Sequence, residues 1–256
     1  MVKRAVLVAI PTYNERENVA EVVGRVRQAD PGVHILVVDD GSPDGTGDVA
    51  DALAAQDDHV HVMHRAGKQG LGAAYIAAFR WALERGYGAV VEMDADGSHL
   101  PEELPRLLAA LDDADVVLGS RWVPGGSVVN WPLHRRLLSR GGSLYARLAL
   151  GISVRDVTGG YRAYRSEVLE RVLARDIESQ GYCFQIDMAR RSLDEGFRVV
   201  EVPIRFVERT HGESKMSQGI VVEAMARVTR WGFDHRVDQL RRLLRRSRSQ
   251  VPDARS

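Results

Sequence analysis

Asp94 and Asp96 are the residues of this chain whose type and spacing best suit metal chemistry. They follow the apolar run Val90–Met93, which is predicted to be a strand, and one alanine separates them. Ligands of open α/β sheets bind beyond the carboxyl ends of strands, where two carboxylates can share a cation such as Mg²⁺ or Mn²⁺. Such a cation would neutralise a substrate diphosphate. Because Asp-x-Asp is also common in turns after strands, this hypothesis needs support from the rest of the chain.

A second acidic pair, Asp39-Asp40, ends another predicted strand. It either forms a turn into the following helix or accepts hydrogen bonds from a ribose or a base. Arg121 follows the fifth predicted strand, and Arg205, Arg209 and Lys215 lie at or after the end of the last one. Arginine and lysine bind phosphate oxygens well. Together, these charged residues indicate a strongly anionic substrate.

Strands and helices alternate through the first half of the chain. Apolar runs predict strands at 5–10, 35–38, 60–63, 89–93 and 115–118. Helical spacing of apolar residues predicts helices at 15–28, 46–55, 73–84 and 102–111. This alternation indicates an α/β fold with a mostly parallel sheet flanked by helices. Right-handed crossovers would bring four strand-end loops to one edge of that sheet: 11–15, 39–44, 67–72 and 94–99.

The second half of the chain is less regular. Helices are predicted at 133–150, 166–173 and 184–195, a strand at 199–207, and one or two helices from 217 to about 246. Six arginines lie between Arg236 and Arg248, against a single acid. We therefore predict one domain over 1–233, followed by a basic C-terminal helix and a disordered tail over 234–256.

Composition excludes several classes of protein. The 35 basic and 35 acidic residues balance to zero, which argues against a nucleic-acid partner. A single cysteine, Cys183, leaves no disulfide framework and no cysteine-based zinc cluster. We find no secretion signal and no run near the ~20 apolar residues that a spanning helix needs. We expect a cytoplasmic protein.

Three common nucleotide or phosphate folds do not fit the motifs. After the first strand stands Pro11-Thr-Tyr-Asn14, where a dinucleotide-binding protein would have Gly-x-Gly-x-x-Gly, and the chain contains no P-loop. A phospho-receiver domain is much shorter and has its acidic pair on the first strand, whereas here the pair follows the second.

Nine sequence blocks occur in a recognisable order. Four are in the first half: 11–18 (PTYNEREN), 37–46 (VVDDGSPDGT), 70–75 (GLGAAY) and 93–99 (MDADGSH). The others are 125–131 (GGSVVNW), 139–141 (SRG), 156–162 (DVTGGYR), 181–185 (GYCFQ) and 212–215 (GESK). They resemble the family-2 glycosyltransferases of GT-A (Rossmann-like) fold, and more narrowly the polyprenol (dolichol) phosphate mannose synthases. The resemblance covers about residues 5–233.

The resemblance implies roles for individual residues on the donor side. The donor GDP-mannose would be bound by Pro11, Tyr13, Glu15, Val38, Asp40, Ala95, Arg121, Arg209 and Lys215. A divalent cation, Mg²⁺ or Mn²⁺, would be held on the donor diphosphate by Asp94 and Asp96. Ser98, at a position where some relatives have glutamine, would be a further ligand, directly or through water.

The resemblance also implies the acceptor side and the reaction. Arg135 and Ser139 would receive a polyprenyl phosphate, and Asp94, Asp96, Arg121 and Arg135 would be catalytic. Mannose would be transferred with inversion, giving polyprenyl β-phosphomannose and GDP. Asp187 would orient Arg135 or another cation, or have a structural role only. Two alternatives stay open: a UDP-glucose transferase with the same lipid acceptor, and a non-catalytic nucleotide-sugar-binding subunit.

A polyprenyl acceptor lies in a bilayer, so we expect the protein to act as a peripheral protein on the cytoplasmic face of the membrane. The segments 133–150 and 217–248 carry leucines and Trp231 together with many arginines, a combination that suits a membrane interface with anionic head groups. A membrane-anchoring partner protein is the other route to the acceptor.

Overall fold

The computed structural model describes residues 5–177, 182–208 and 225–233. Nine strands lie in this part of the chain: β1 (Val6–Thr12), β2 (His34–Asp39), β3 (Val60–His64), β4 (Ala89–Glu92), β5 (Val116–Ser120), β6 (Ser127–Val129), β7 (Arg162–Arg165), β8 (Val199–Pro203) and β9 (Arg205–Val207). Seven of them form one sheet in the order β3-β2-β1-β4-β7-β5-β8. Only β7 runs antiparallel to its neighbours in that sheet. The predicted mostly parallel sheet is confirmed.

Helices cover both faces of this sheet. They are α1 (Val19–Ala29), α2 (Thr46–Ala54), α3 (Leu71–Glu84), α4 (Leu104–Ala110), α5 (Leu133–Leu150), α6 (Ser166–Val172) and α7 (Tyr182–Asp194), with a 3₁₀ turn at Pro101–Glu103 and helical residues at 225–233. Alternate residues of β1 face opposite cores: Leu7 packs with α3, α6 and α7, whereas Val8 packs with α1 and α4. This arrangement leaves the carboxyl ends of β1, β2 and β4 at one edge.

Two strand predictions were incomplete. The short β6 and the longer β7 were not predicted from the sequence. The four residues of β7 include two arginines, yet Ala163 and Tyr164 are buried between β4 and β5. The predicted strand at 199–207 was wrong as a single element. It ends at Pro203, which has no N–H to donate, and the chain continues as β9 in a second, two-stranded sheet with β6.

The helical residues 225–233 pack against α5. The space for a Cβ atom on Gly232 is only 2.4 Å from the carbonyl oxygen of Ala149, so only glycine permits this close approach. Val228 is buried there, and the hydroxyls of Tyr145 and Thr229 lie 2.6 Å apart. Within the described ranges, no helix is long and apolar enough to cross a membrane. The rest of the predicted 217–246 helices and the 234–256 tail lie outside the described residues, so the division at 233 stays a prediction.

Candidate functional site

The strand-end loops that were predicted to converge lie side by side. The backbone N–H of Asn14, after β1, donates to the hydroxyl of Ser42, after β2, at 3.0 Å. Lys68 Nζ, after β3, lies 4.4 Å from the ring centre of Tyr13, which joins the third loop to the first by a cation–π contact. These contacts bring three loops of distant sequence to one edge of the sheet.

The two aspartates after β2 have different roles. Asp39 accepts hydrogen bonds from the backbone N–H of Ser42 at 3.2 Å and from the Ser42 hydroxyl, so it forms the predicted turn. Asp40 forms an ion pair with Arg65, and both side chains are largely buried. Burial raises the pKa of Asp40, and the Arg65 guanidinium opposes that rise. Sequence reasoning missed Arg65, although a cation directly after the third strand was a signal for it.

The fourth loop joins this edge through Asp94. Tyr75, on α3, donates its hydroxyl to Asp94 Oδ1 at 3.4 Å. The backbone N–H of Asp94 donates to His99 Nδ1 at 3.0 Å, so the proton of the neutral imidazole is on Nε2, which lies 3.8 Å from Asp94 Oδ2. Burial lowers the pKa of His99, and therefore keeps it in this neutral form. His99 thus fixes the backbone that presents Asp94.

The donor set around Asp96 suits a hard cation. The backbone N–H of Ser98 donates to Asp96 Oδ1 at 3.1 Å, while the buried Ser98 hydroxyl has no hydrogen-bond partner among the residues with described positions. An orphaned buried oxygen in the same loop as two aspartates fits the oxygen-only ligands that Mg²⁺ and Mn²⁺ take. The described residues include no group of three or more His, Cys, Asp or Glu side chains that could hold a metal by themselves. A cation at Asp94 and Asp96 would therefore need further oxygens, from Ser98, from the substrate or from water.

A buried polar layer that sequence reasoning missed lies directly beneath Asp94. Glu92, the last residue of β4, is fully buried and accepts a hydrogen bond from Gln185 Nε2 at 2.7 Å. Burial raises the pKa of Glu92 to about 8, although the guanidinium of Arg162, the residue opposite it on β7, lowers that pKa in part. Arg162 is itself fully buried and donates to the backbone carbonyl of Gln185 at 2.6 Å. Glu92, the one acid inside the apolar run Val90–Met93, was the sequence signal that could have indicated this buried polar layer.

Arg121, directly after β5, is anchored inside the protein. Its Nε and one Nη donate to the two carboxylate oxygens of Asp156 at 2.7 and 2.6 Å, and the same Nη lies 3.2 Å from Thr158 Oγ1. The guanidinium carbon also lies 5.2 Å and 5.3 Å from the ring centres of Trp131 and Phe206. The predicted phosphate-binding arginine is thus 7% exposed, and Asp156 determines its position.

The two residues predicted for the acceptor lie one helical turn apart at the start of α5. Arg135 stacks on Trp131, with 4.4 Å between its guanidinium carbon and the ring centre, and it forms an ion pair with Glu208. Ser139 has a buried hydroxyl with no partner in the described part of the chain. The structure therefore brings both residues to one face of α5 and adds a carboxylate that the sequence did not predict.

The remaining predicted site residues are placed as follows. Val38 and Ala95 have side chains in the two cores, so only their backbones can reach a ligand. Pro11, Tyr13 and Glu15 are partly exposed in and after β1. Asp187 forms ion pairs with Arg190 at 2.7 Å and with Arg191 at 3.1 Å, on its own helix. Arg209 and Lys215 lie outside the described residues.

A family model described as "Glycosyl transferase family 2" matches residues 7–173, which include the loops after β1, β2 and β4 and the anchored Arg121. The chain belongs to glycosyl transferase family 2. This membership makes the chain a glycosyltransferase, and it agrees with the motifs at 37–46 and 93–99.

Two relatives of this family-2 glycosyltransferase match nearly its whole length. A polyprenol monophosphomannose synthase from Mycolicibacterium smegmatis is 59% identical over 241 residues, which cover 93% of this chain and 91% of that protein. An undecaprenyl-phosphate mannosyltransferase from Micrococcus luteus is 60% identical over 236 residues, covering 92% of this chain and 97% of that one.

Solved structures confirm the GT-A fold. A glucosyl-3-phosphoglycerate synthase from Mycobacterium tuberculosis, in complex with UDP, is 18% identical with a TM-score of 0.65, and the match covers 90% of this chain and 80% of that chain. A mannosyltransferase from Pyrobaculum calidifontis, in complex with GDP-Man and Mn²⁺, is 21% identical with a TM-score of 0.57, and the match covers 84% of this chain and 59% of that chain. At this level of identity the likeness concerns the fold alone.

Proposed function

We propose that this glycosyltransferase transfers mannose from GDP-mannose to a polyprenyl phosphate, with inversion at the anomeric carbon. The observation that carries the proposal is the near-full-length identity of 59% and 60% to two enzymes named for polyprenol phosphate mannosylation. Those names favour mannose over glucose, and an enzyme over a non-catalytic subunit.

The nucleoside of the donor is assigned to the loops after β1 and β2. Asp40 is positioned there by Arg65, and its carboxylate can accept hydrogen bonds from a base or a ribose. Tyr13 offers an aromatic surface beside Lys68, and Pro11 and Glu15 complete this assignment together with the backbones of Val38 and Ala95. Arg209 and Lys215 are assigned to the donor phosphates by resemblance alone.

Asp94 and Asp96 are assigned to a divalent cation, Mg²⁺ or Mn²⁺, with Ser98 as a further oxygen donor. When bound there, such a cation supplies Lewis-acid stabilisation of the leaving diphosphate. The protein's own task is to hold both carboxylates still. The Tyr75 hydroxyl and the backbone contact with His99 hold Asp94, and the backbone N–H of Ser98 holds Asp96.

The acceptor phosphate is assigned to Arg135 and Ser139 on α5. One of its oxygens attacks the anomeric carbon from the side opposite the nucleotide, the new carbon–oxygen bond forms as the bond to GDP breaks, and GDP leaves with the electron pair. A phosphate monoester is largely ionised near neutral pH, so the site needs no strong general base. Alignment and charge neutralisation by Arg121 and Arg135 are the contributions required of the protein.

The exposed face of α5 suits a peripheral position on a membrane. Leu133, Leu137, Leu144 and Leu148 form one stripe and are 70%, 62%, 50% and 64% exposed. Arginines flank this stripe, and the eighteen residues of α5 include no acid. Leucines with arginines beside them match an interface that contains anionic lipid, and the same helix carries the proposed acceptor residues. A membrane-anchoring partner protein remains the alternative route to the lipid.

The test is a transfer assay with purified protein and two labelled donors, GDP-mannose and UDP-glucose, each with undecaprenyl phosphate. Mannosyl lipid that is formed with Mg²⁺ or Mn²⁺, lost with EDTA and cleaved by mild acid supports the proposal. Glucosyl lipid formed in preference would replace the donor assignment. Binding of GDP-mannose without transfer to any acceptor would favour the non-catalytic alternative.

A further inference from the structure

The acceptor end of α5 contains several buried polar atoms without partners. The Trp131 indole N–H, Arg135 Nε, the Ser139 hydroxyl and Glu208 Oε2 all lack a hydrogen bond within the described residues. Trp131 is more than nine-tenths buried, and Ser139 is one helical turn from Arg135. Because buried polar atoms are almost always hydrogen-bonded, this set indicates a place where a ligand's polar atoms belong.

The Glu208 carboxylate already provides an anion beside these unpartnered atoms. One of its oxygens pairs with Arg135, whose side chain is 14% exposed, and its backbone N–H donates to the carbonyl oxygen of Val129 at 3.1 Å. The carboxylate is therefore held at the end of β9, next to the guanidinium that is assigned to the acceptor phosphate. A carboxylate and a phosphate bind a guanidinium through the same geometry, so the two compete.

We propose that Glu208 is a specificity-determining residue of the acceptor site, which makes Arg135 available to phosphate monoesters and not to phosphodiesters. This inference rests on the proposed function. A polyprenyl phosphate is a monoester and carries about −1.5 to −2 charges near pH 7, enough to displace a single carboxylate. The mannosylated product and ordinary membrane phospholipids are diesters whose phosphate carries one negative charge. The Glu208 carboxylate carries the same charge, so a diester has no electrostatic advantage over it.

This competition has two consequences for an enzyme that works on a lipid surface. Phospholipid head groups outnumber the acceptor and lie close to Arg135, but they do not displace Glu208 and therefore do not bind the guanidinium. The product loses its hold on Arg135 once transfer has converted the monoester to a diester, because Glu208 then returns to the guanidinium. Substrate selection and product release thus depend on the same residue.

The test measures binding by calorimetry, which does not depend on transfer. The probes are citronellyl phosphate, a short isoprenoid monoester, and its methyl diester, added to the full-length wild-type protein and to Glu208→Gln. We expect the wild type to bind the monoester more tightly than the diester. In Glu208→Gln the ratio of the two dissociation constants should fall roughly tenfold, mainly because the diester binds more tightly. The control Glu102→Gln removes an exposed partner of Arg25 and should leave the preference unchanged.

The outcomes separate this inference from the proposed function. A wild type that binds monoester and diester equally, or a variant with an unchanged preference, overturns the role of Glu208 while leaving mannosyl transfer intact. A wild type that binds neither probe removes the acceptor assignment and the role of Glu208 with it. In transfer assays, Glu208→Gln should show stronger inhibition by product. A raised KM for polyprenyl phosphate without that inhibition would instead make Glu208 an orienting residue for Arg135.

Discussion

The guanidinium of Arg121 binds both carboxylate oxygens of Asp156, at 2.7 and 2.6 Å, where neither side chain is more than 7% exposed. The Arg121 backbone N–H donates to the same carboxylate at 2.8 Å, and the Asp156 N–H donates to Glu201 at 2.9 Å. The pair therefore connects the end of β5, the 156–162 segment and β8. Asp156 is a positioning residue for Arg121.

We expect Asp156→Asn to lower the free energy of unfolding by about 3–5 kcal/mol, because it leaves the Arg121 charge buried without its counter-ion. Urea denaturation followed by circular dichroism measures the change. The matched control Glu102→Gln breaks the exposed pair with Arg25 and should cost about 1 kcal/mol or less. Equal stabilities of Asp156→Asn and the wild type would show that the pair does not support this edge.

We expect Asp96→Ala to lower mannosyl transfer by about 10²–10³-fold or more, because one of the two carboxylates that hold the cation is lost. Transfer rates over a Mn²⁺ titration measure the effect, and circular dichroism checks that the variant is folded. If the variant keeps full activity with the same metal dependence, the metal site lies elsewhere.

Glu92→Gln should change how stability depends on pH. The folded-state pKa of Glu92 is raised to about 8 from an ordinary value of 4.5. Between these two pH values the folded protein binds more protons than the unfolded chain, so the wild type loses stability as the pH rises from about 4.5 to about 8. Glutamine keeps the shape of the neutral acid without titrating. In metal-free buffer, the Tm of Glu92→Gln relative to wild type should therefore rise between pH 5 and pH 9.

The matched control for this comparison is Glu84→Gln, whose carboxylate is exposed on α3. Its Tm should follow that of the wild type at every pH. A Glu92→Gln variant that also keeps a constant difference from the wild type would show that Glu92 is ionised in the folded protein at all these pH values.

Replacing two leucines of the exposed α5 stripe, Leu137→Ser with Leu144→Ser, should weaken binding to anionic phosphatidylglycerol vesicles by roughly tenfold or more. Co-sedimentation measures the bound fraction, with phosphatidylcholine vesicles as the uncharged comparison. Leu71→Ser, at an exposed leucine of α3, is the matched control and should leave binding unchanged. Unaltered binding of the double variant would assign membrane contact to another surface or to a partner protein.

The parallel part of the sheet could be predicted from the sequence because its strands are continuous apolar runs with helical segments between them. The antiparallel strand β7 could not, since Arg162 and Arg165 give it a polar appearance. Their guanidiniums are satisfied by backbone carbonyls from other segments, such as that of Ala114 at 2.8 Å from Arg165 Nε. A local pattern contains no information about such partners.

The same distinction holds for the site. The positions of Asp40 and Asp94 followed from the rule that ligands bind at the carboxyl ends of parallel strands. The ion pairs that Arg65, Asp156 and Glu208 form with site residues did not, because the members of each pair lie 25 to 73 positions apart in the sequence. These distant partners fix the positions of Asp40 and Arg121, and in the case of Glu208 they place a carboxylate on the guanidinium of Arg135.

The most direct test of the central claim is the structure of the lipid product, determined by NMR after incubation of the purified protein with GDP-mannose, undecaprenyl phosphate and Mn²⁺. We predict mannose joined to the lipid phosphate oxygen in the β configuration, with one GDP released per product. An α-linked mannose, a sugar attached elsewhere, or free mannose released by hydrolysis would contradict inverting transfer to the phosphate.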